Sequence, residues 1–219
     1  MRNYSRVITA LDVEDYAKAK SFVDKLYPQV KVFKVGLQLF TSCGPKIIRY
    51  KKGAGVFLDL KFFDIPNTVA NAIRQGVRLK TRMMTLHING GEEMLAAALE
   101  AAQEESRRLK IKRPLLLGVT VLTSQKARPR AVLSLARSGL SCGLDGVVCS
   151  AKEAALLRSR IKQKFIIVTP GIRLKGAIAD DQKRTAQASQ AFACGADFIV
   201  VGRPLLKAAD PLRALKELI

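Results

Sequence analysis

Charged residues able to act together gather in one stretch, Phe57-Leu58-Asp59-Leu60-Lys61-Phe62-Phe63-Asp64-Ile65-Pro66-Asn67-Thr68-Val69. If its apolar start is a strand, a period of two sets Phe57, Asp59 and Lys61 on one face and Leu58 and Leu60 on the other. A carboxylate and an ammonium on a buried face are costly unless they pair. Two further apolar runs end on charge, Ala10-Leu11-Asp12 and Phe33-Lys34-Val35-Gly36. Lys and Asp groups that alternate in this way hold one another ionised and set a proton donor beside a fixed negative charge. That suits a reaction in which a substrate anion is destabilised while carbanion character develops and is protonated. Taken singly, surface charge explains each residue, and a structural ion pair explains Asp59 with Lys61. The convergence of Asp12, Lys34, Asp59, Lys61 and Asp64 on strand ends favours chemistry.

A second group fits an anion. Val200-Val201-Gly202-Arg203-Pro204-Leu205 joins a glycine that lets backbone approach, a guanidinium fork and a proline that can open a short helix. Thr169-Pro170-Gly171-Ile172-Arg173 offers a second arginine, and the long segment to Gln182 carries Gly171 and Gly176, as a closing loop would. The alternative at both sites is a tight turn with an exposed arginine. Gly139-Leu140-Ser141-Cys142-Gly143 matches the G-x-S-x-G pattern, but a helical stretch precedes it and a strand follows, the reverse of a nucleophile elbow. The lone histidine, His87, reads as structural. Walker A, G-x-G-x-x-G and H-E-x-x-H patterns are absent.

Short apolar runs alternate with helical stretches along the whole chain. Strands are expected over Arg6–Leu11, Val30–Val35, Gly55–Leu60, Met83–Ile88, Leu115–Val121, Gly146–Cys149, Phe165–Thr169 and Phe198–Gly202. Helices are expected over Val13–Leu26 with Asp12 as N-cap, Thr68–Leu79, Glu92–Leu109, Arg130–Gly139, Ala151–Ser159, Gln182–Cys194 and Asp210–Leu218. Eight strands alternating with helical stretches predict an α/β fold, a single-domain (β/α)8 TIM barrel over 1–219; an open doubly wound sheet is the runner-up. In a barrel, function sits at the C-terminal strand ends, where the two groups above fall. The loops after strands seven and eight commonly hold phosphate.

Composition excludes several classes. Of 219 residues, 48% are apolar and 26% charged, which permits a sizeable core and excludes general disorder. No apolar run approaches the roughly 20 residues of a membrane span, and the N-terminus lacks an apolar signal region. Four cysteines without a C-x-x-C pair and one histidine leave no Cys/His metal cluster, and a reduced, cytoplasmic setting fits. The formal charge is +20, from 38 Lys and Arg against 18 Asp and Glu. Such a field attracts phosphate esters, RNA or acidic membrane surface, and it also fits a merely solvated basic exterior.

The motifs ALD (10–12), KVG (34–36), DLKFFDIPNTV (59–69), HINGGEEML (87–95), GVTVLTS (118–124), GLDGVVCSAKEA (143–154), TPGIR (169–173), DDQKR (180–184) and GADFIVVGRPL (195–205) span nearly the whole sequence. In them the chain resembles the orotidine 5'-phosphate decarboxylase family, bacterial type. The resemblance implies a cofactor-free enzyme without metal, acting as a homodimer with shared active sites and with no specific nucleic acid or membrane partner. It implies that Lys34, Asp59, Lys61 and Asp64 form the catalytic array, Asp59 lying against the substrate carboxylate and Lys61 protonating C6. Asp12 would hold ribose hydroxyls, and Asp64 and Thr68 would reach the partner subunit's site. Thr123 and Pro170 would line the pyrimidine pocket, and Arg173, Gln182, Gly202 and Arg203 would surround the phosphate. Two departures stand out: Phe63 replaces the family's usual histidine, and Gln125–Leu133 is shorter than usual. The alternatives are a metal-dependent sugar-phosphate decarboxylase, aldolase or epimerase sharing the D-x-K-x-x-D strand, and a basic nucleic-acid-binding barrel. The latter lacks any RNP or KH signature, and with 6% aromatic residues and no Trp it has little for base stacking.

Overall fold

In the computed structural model, which describes residues 4–50, 52–122, 125, 128–173 and 185–219, eight parallel strands close into a barrel in sequence order. They are β1 Val7–Ala10, β2 Val32–Gly36, β3 Gly55–Phe62, β4 Met83–His87, β5 Leu115–Val119, β6 Gly146–Val148, β7 Ile166–Thr169 and β8 Phe198–Val201. Strand β8 closes the ring on β1 through Val7–Ile199, Ile8–Val200 and Thr9–Val201. The open-sheet alternative is thereby excluded.

Alternation along the strands builds two apolar layers. Ile8, Ala10, Val32, Phe57, Met83, Leu117, Val168 and Val200 meet inside the barrel. Their neighbours Val7, Phe33, Leu58, Met84, Leu116, Ile167 and Ile199 face outward into the larger core against the helices. Each large side chain so buried contributes about 1.5–3 kcal/mol.

The helices are α1 Tyr16–Leu26, α2 Leu37–Cys43, α3 Lys46–Arg49, α4 Pro66–Arg78, α5 Gly91–Arg108, α6 Pro129–Ser141, α7 Ala151–Arg160, α8 Ala188–Ala193, α9 Arg203–Leu206 and α10 Pro211–Leu218. Three expectations need correction. The helix expected from Gln182 begins at Ala188, since Ala186 forms a bridge to Ile172, and 182–184 lie outside the described residues. Helix α1 is capped by Asp15, whose side chain accepts from the Lys18 N–H, and not by Asp12, which turns toward Lys34. The connection from β2 to β3 contains α2 and α3, which the sequence pattern did not indicate. Both are short, and Gly44 and Pro45 divide them. The G-x-S-x-G run lies on the end of α6 and beyond, with the Ser141 hydroxyl donating to Ser138 O at 2.8 Å.

One turn recurs at the far end of the barrel from the strand C-termini. Helices α4, α5, α6 and α8 all end with paired backbone bonds onto their last turn, such as Lys80 N–H to Val77 O (2.8 Å) and Thr81 N–H to Gly76 O (3.2 Å). The closing residue needs a left-handed backbone. It is glycine after α6 and α8 (Gly143, Gly195) but lysine after α4 and α5 (Lys80 φ 54°, Lys110 φ 53°), and Lys52 adopts φ 46° before β3. A side chain in that conformation costs about 1 kcal/mol relative to glycine.

Candidate active site

Strand β3 departs from regular pairing where its charged residues begin. Phe57 and Leu58 pair with Met83 and Met84, but Phe62 pairs with Leu86, so four residues of β3 advance against two of β4. Lys61 absorbs the excess with a left-handed φ of 52°. The bulge turns the Lys61 side chain back, and its Nζ lies 3.0 Å from Asp59 Oδ1.

Asp59 stands between two lysines. Lys34 Nζ is 3.6 Å from Asp59 Oδ2 and 2.9 Å from Asp12 Oδ1. A methyl group at Gly36 would lie 2.9 Å from Lys34 Nζ and 3.3 Å from Asp12 Oδ1, so glycine here leaves room for the pair. Burial opposes the charge of both groups. Asp59 and Asp12 nevertheless hold the Lys34 ammonium above its ordinary pKa. Lys34 and Lys61 hold the Asp59 carboxyl below its ordinary value. Both therefore stay ionised through the neutral range. His87, at the end of β4, is pushed down by burial and by the nearby Lys61 ammonium, and its ring lies 5.7 Å from that of Phe63.

Thr85, fully buried, completes the array. Its hydroxyl donates to Asp59 Oδ1 at 3.0 Å and accepts from the Lys61 backbone N–H at 2.9 Å. The sequence reading missed it, although alternation from Met83 puts Thr85 on the inward face.

Asp12, Lys34, Asp59 and Lys61 line a cavity of about 580 Å³ at the C-terminal mouth of the barrel. It brings together Asp12, Lys34, Asp59, Lys61, Pro170, Arg173, Gly202 and Arg203, with an apolar wall from Val119, Val121, Leu122 and Val148. Charges and guanidinium groups thus line a space that would enclose a small anionic ligand. Asp64 and Thr68 are exposed and do not line it; Asp64 Oδ1 accepts the Ile65 N–H at 2.7 Å. Thr123 and Gln182 lie outside the described residues. Among the described residues no three His, Cys, Asp or Glu side chains gather as a metal site would require, and no helix is long and apolar enough to cross a membrane.

Comparison with known proteins agrees in extent and kind. The model of the orotidine 5'-phosphate decarboxylase / HUMPS family matches residues 5–218. An orotidine 5'-phosphate decarboxylase of Vibrio cholerae is 44% identical over 229 residues, covering 99% of this chain and 97% of the relative. One of Dictyoglomus thermophilum is 41% identical over 232 residues, covering 100% and 95%. The crystal structure of orotidine 5'-phosphate decarboxylase from Lactobacillus acidophilus superposes with a TM-score of 0.83 at 34% identity, covering 98% of this chain and 97% of that one. The family model spans nearly the whole chain and the Vibrio and Dictyoglomus relatives are 41–44% identical over nearly their full length, so the chain belongs to the orotidine 5'-phosphate decarboxylase / HUMPS family.

Proposed function

We propose that this protein decarboxylates orotidine 5'-phosphate to uridine 5'-phosphate and carbon dioxide, the last step of de novo pyrimidine nucleotide synthesis, without metal or organic cofactor. One observation carries the reading: an ionised Asp59 held between two lysines on one wall of a cavity whose other side presents Arg173 and Arg203. In this reading the substrate phosphate lies at Arg173, Gly202, Arg203 and Gln182, and the ribose hydroxyls lie at Asp12. Pro170 and Thr123 border the pyrimidine.

Binding of the phosphate end then presses the substrate carboxylate toward Asp59, where two anions repel. Departure of carbon dioxide relieves that repulsion. The C6–carboxylate bond breaks, its electron pair stays on C6, and the Lys61 ammonium delivers a proton there. Water later returns a proton to the neutral lysine. Lys34 holds Asp59 ionised throughout.

The same reading makes the protein a cytoplasmic, single-domain barrel over 1–219 that works as a homodimer with shared sites. Asp64 and Thr68, outside their own cavity, would act in the partner's. The large exposed apolar side chains Leu37, Phe63 and Ile65 support a covered surface beside the mouth.

The decisive experiment follows pyrimidine absorbance with orotidine 5'-phosphate in excess EDTA. Turnover in EDTA is expected. Activity that EDTA abolishes and divalent metal restores would instead favour a metal-dependent sugar-phosphate relative.

A further inference from the structure

The molecule's charge is distributed unequally between the two ends of the barrel. Among the described residues, the turns that lead from strands to helices (11–15, 63–65, 88–90, 120–122, 125, 128, 149–150, 170–173, 185–187 and 202) contain two Lys or Arg and four Asp or Glu. The described turns that lead from helices back to strands (27–31, 50, 52–54, 79–82, 109–114, 142–145, 161–165 and 194–197) contain nine Lys or Arg and two acids. The two acids are already engaged. Asp145 takes both guanidinium nitrogens of Arg113 at 2.6 and 3.0 Å, and Asp197 takes Arg158 at 2.6 Å. Arg82, Lys110, Lys112, Lys162 and Lys164 make no ion pair among the described residues, and all five are exposed.

These turns form a continuous rim. Leu115 N–H donates to Arg82 O, Asp145 N–H to Leu116 O and Ile166 N–H to Asp145 O, each at 3.0 Å. Helix C-termini end on the same face, and each attracts cations with about half a negative charge, which leaves about half of the surplus uncompensated. Lys80 and Lys110 hold the left-handed positions that glycine fills in the sister turns, so the charge is retained against backbone preference.

We propose that this N-terminal end of the barrel is a docking surface for the phosphate backbone of nucleic acid, independent of sequence and separate from the catalytic mouth. Nearby aromatic rings are occupied by the chain's own cations, with Lys31 Nζ 5.0 Å from the Tyr27 ring and Arg158 4.5 Å from the Phe165 ring. Stacking on bases is therefore not the mode; contact is with phosphates. An anionic membrane fits less well. The large exposed apolar side chains among the described residues, Leu37, Phe63 and Ile65, belong to segments at the opposite end.

The test uses the full chain, a labelled single-stranded RNA, and two variants with equal loss of charge. The first is K80N/K110N/K112Q/K162Q/K164Q, where asparagine suits the left-handed positions. The second, K18Q/K20Q/K46Q/K152Q/K207Q, removes five lysines elsewhere. The first variant is expected to lower the slope of log affinity against log salt by about 3.5, and to bind at least about tenfold more weakly at 0.15 M salt. The second should change affinity less than about threefold. Orotidine 5'-phosphate turnover should persist in the first, and this readout also reports folding. If the fivefold variant fails to fold, K80N/K110N must still lower the slope by about 1.4. Equal losses in both variants, or no RNA binding by the parent chain at 0.15 M salt, would overturn the proposal. So would phosphatidylserine vesicles binding as tightly as RNA and displacing it.

Discussion

Lys61 joins backbone geometry to chemistry most directly. Its ammonium meets Asp59 because its own φ is 52°, and its N–H is held by Thr85. As the proposed proton donor, Lys61→Ala is expected to remove nearly all turnover while leaving nucleotide binding. Steady-state kinetics that retain more than about a tenth of parental kcat, a loss under about 1.4 kcal/mol, would contradict that role. Thr85→Val keeps shape but strips Asp59 of a donor and the Lys61 N–H of an acceptor. Unmet partners of this kind cost about 1–3 kcal/mol, so kcat should fall about 10- to 100-fold with a smaller change in KM. Thr85→Ser should recover most of it. A uniform loss of stability without a kcat effect would make Thr85 merely structural. At this scale Asp59 was legible, since alternation aims it at the mouth; Lys61 was named on the same alternation, but the bulge and its left-handed φ are what bring it to Asp59. The role of Thr85 was not legible, because its two partners depend on a register jump between strands distant in sequence.

Among the elements, strand positions were read to within a few residues because each buried strand is a dense apolar run. Helices α2 and α3 escaped because elements of seven and four residues carry too few turns to show a periodic face. Asp12 was misread as a cap because Asp12 and Asp15 both precede the helix, and only the fold reveals that Lys34 claims the first. The packing of α4 against α5 carries a pH signature. Glu105, buried on α5, accepts from Arg108 Nε at 3.0 Å and from Arg78 Nε of α4 at 2.7 Å. These hydrogen bonds lower its pKa from 4.5 to about 2. A carboxylate depressed in the folded state stabilises it above the unfolded value. That stabilisation is lost as pH falls from about 4.5 toward about 2. Glu105→Gln should lower the melting temperature at pH 7 and flatten its decline over this interval. An unchanged acid profile in calorimetry would show that the clamp contributes nothing.

At the scale of the whole molecule, the barrel was legible because eight strands alternating with helices leave little else for a chain of this length. Subunit composition was not, because residues that serve a partner look idle within one chain. Asp64 and Thr68, exposed and outside the cavity, are the residues proposed to act in that way. Mixing two inactive variants, Lys61→Ala and Asp64→Ala, by joint unfolding and refolding tests the proposed sharing. In a two-fold dimer, random pairing makes about half the dimers mixed, with one whole site in each, so roughly a quarter of all sites should recover. No recovery, with mixed dimers verified by mass, would confine Asp64 to its own chain.

Closure of β8 on β1 has a bearing on biosynthesis. The ribosome releases β1 first, yet its second neighbour is not available until Phe198–Val201 has emerged. From the emergence of β1 to that of β8 the nascent sheet therefore keeps two unpaired margins, the flank of β1 and that of whichever strand came last. Such margins invite pairing with other nascent chains. Ring closure is thus a late, all-or-none event, and any stall upstream of residue 198 leaves a sheet that cannot seal itself.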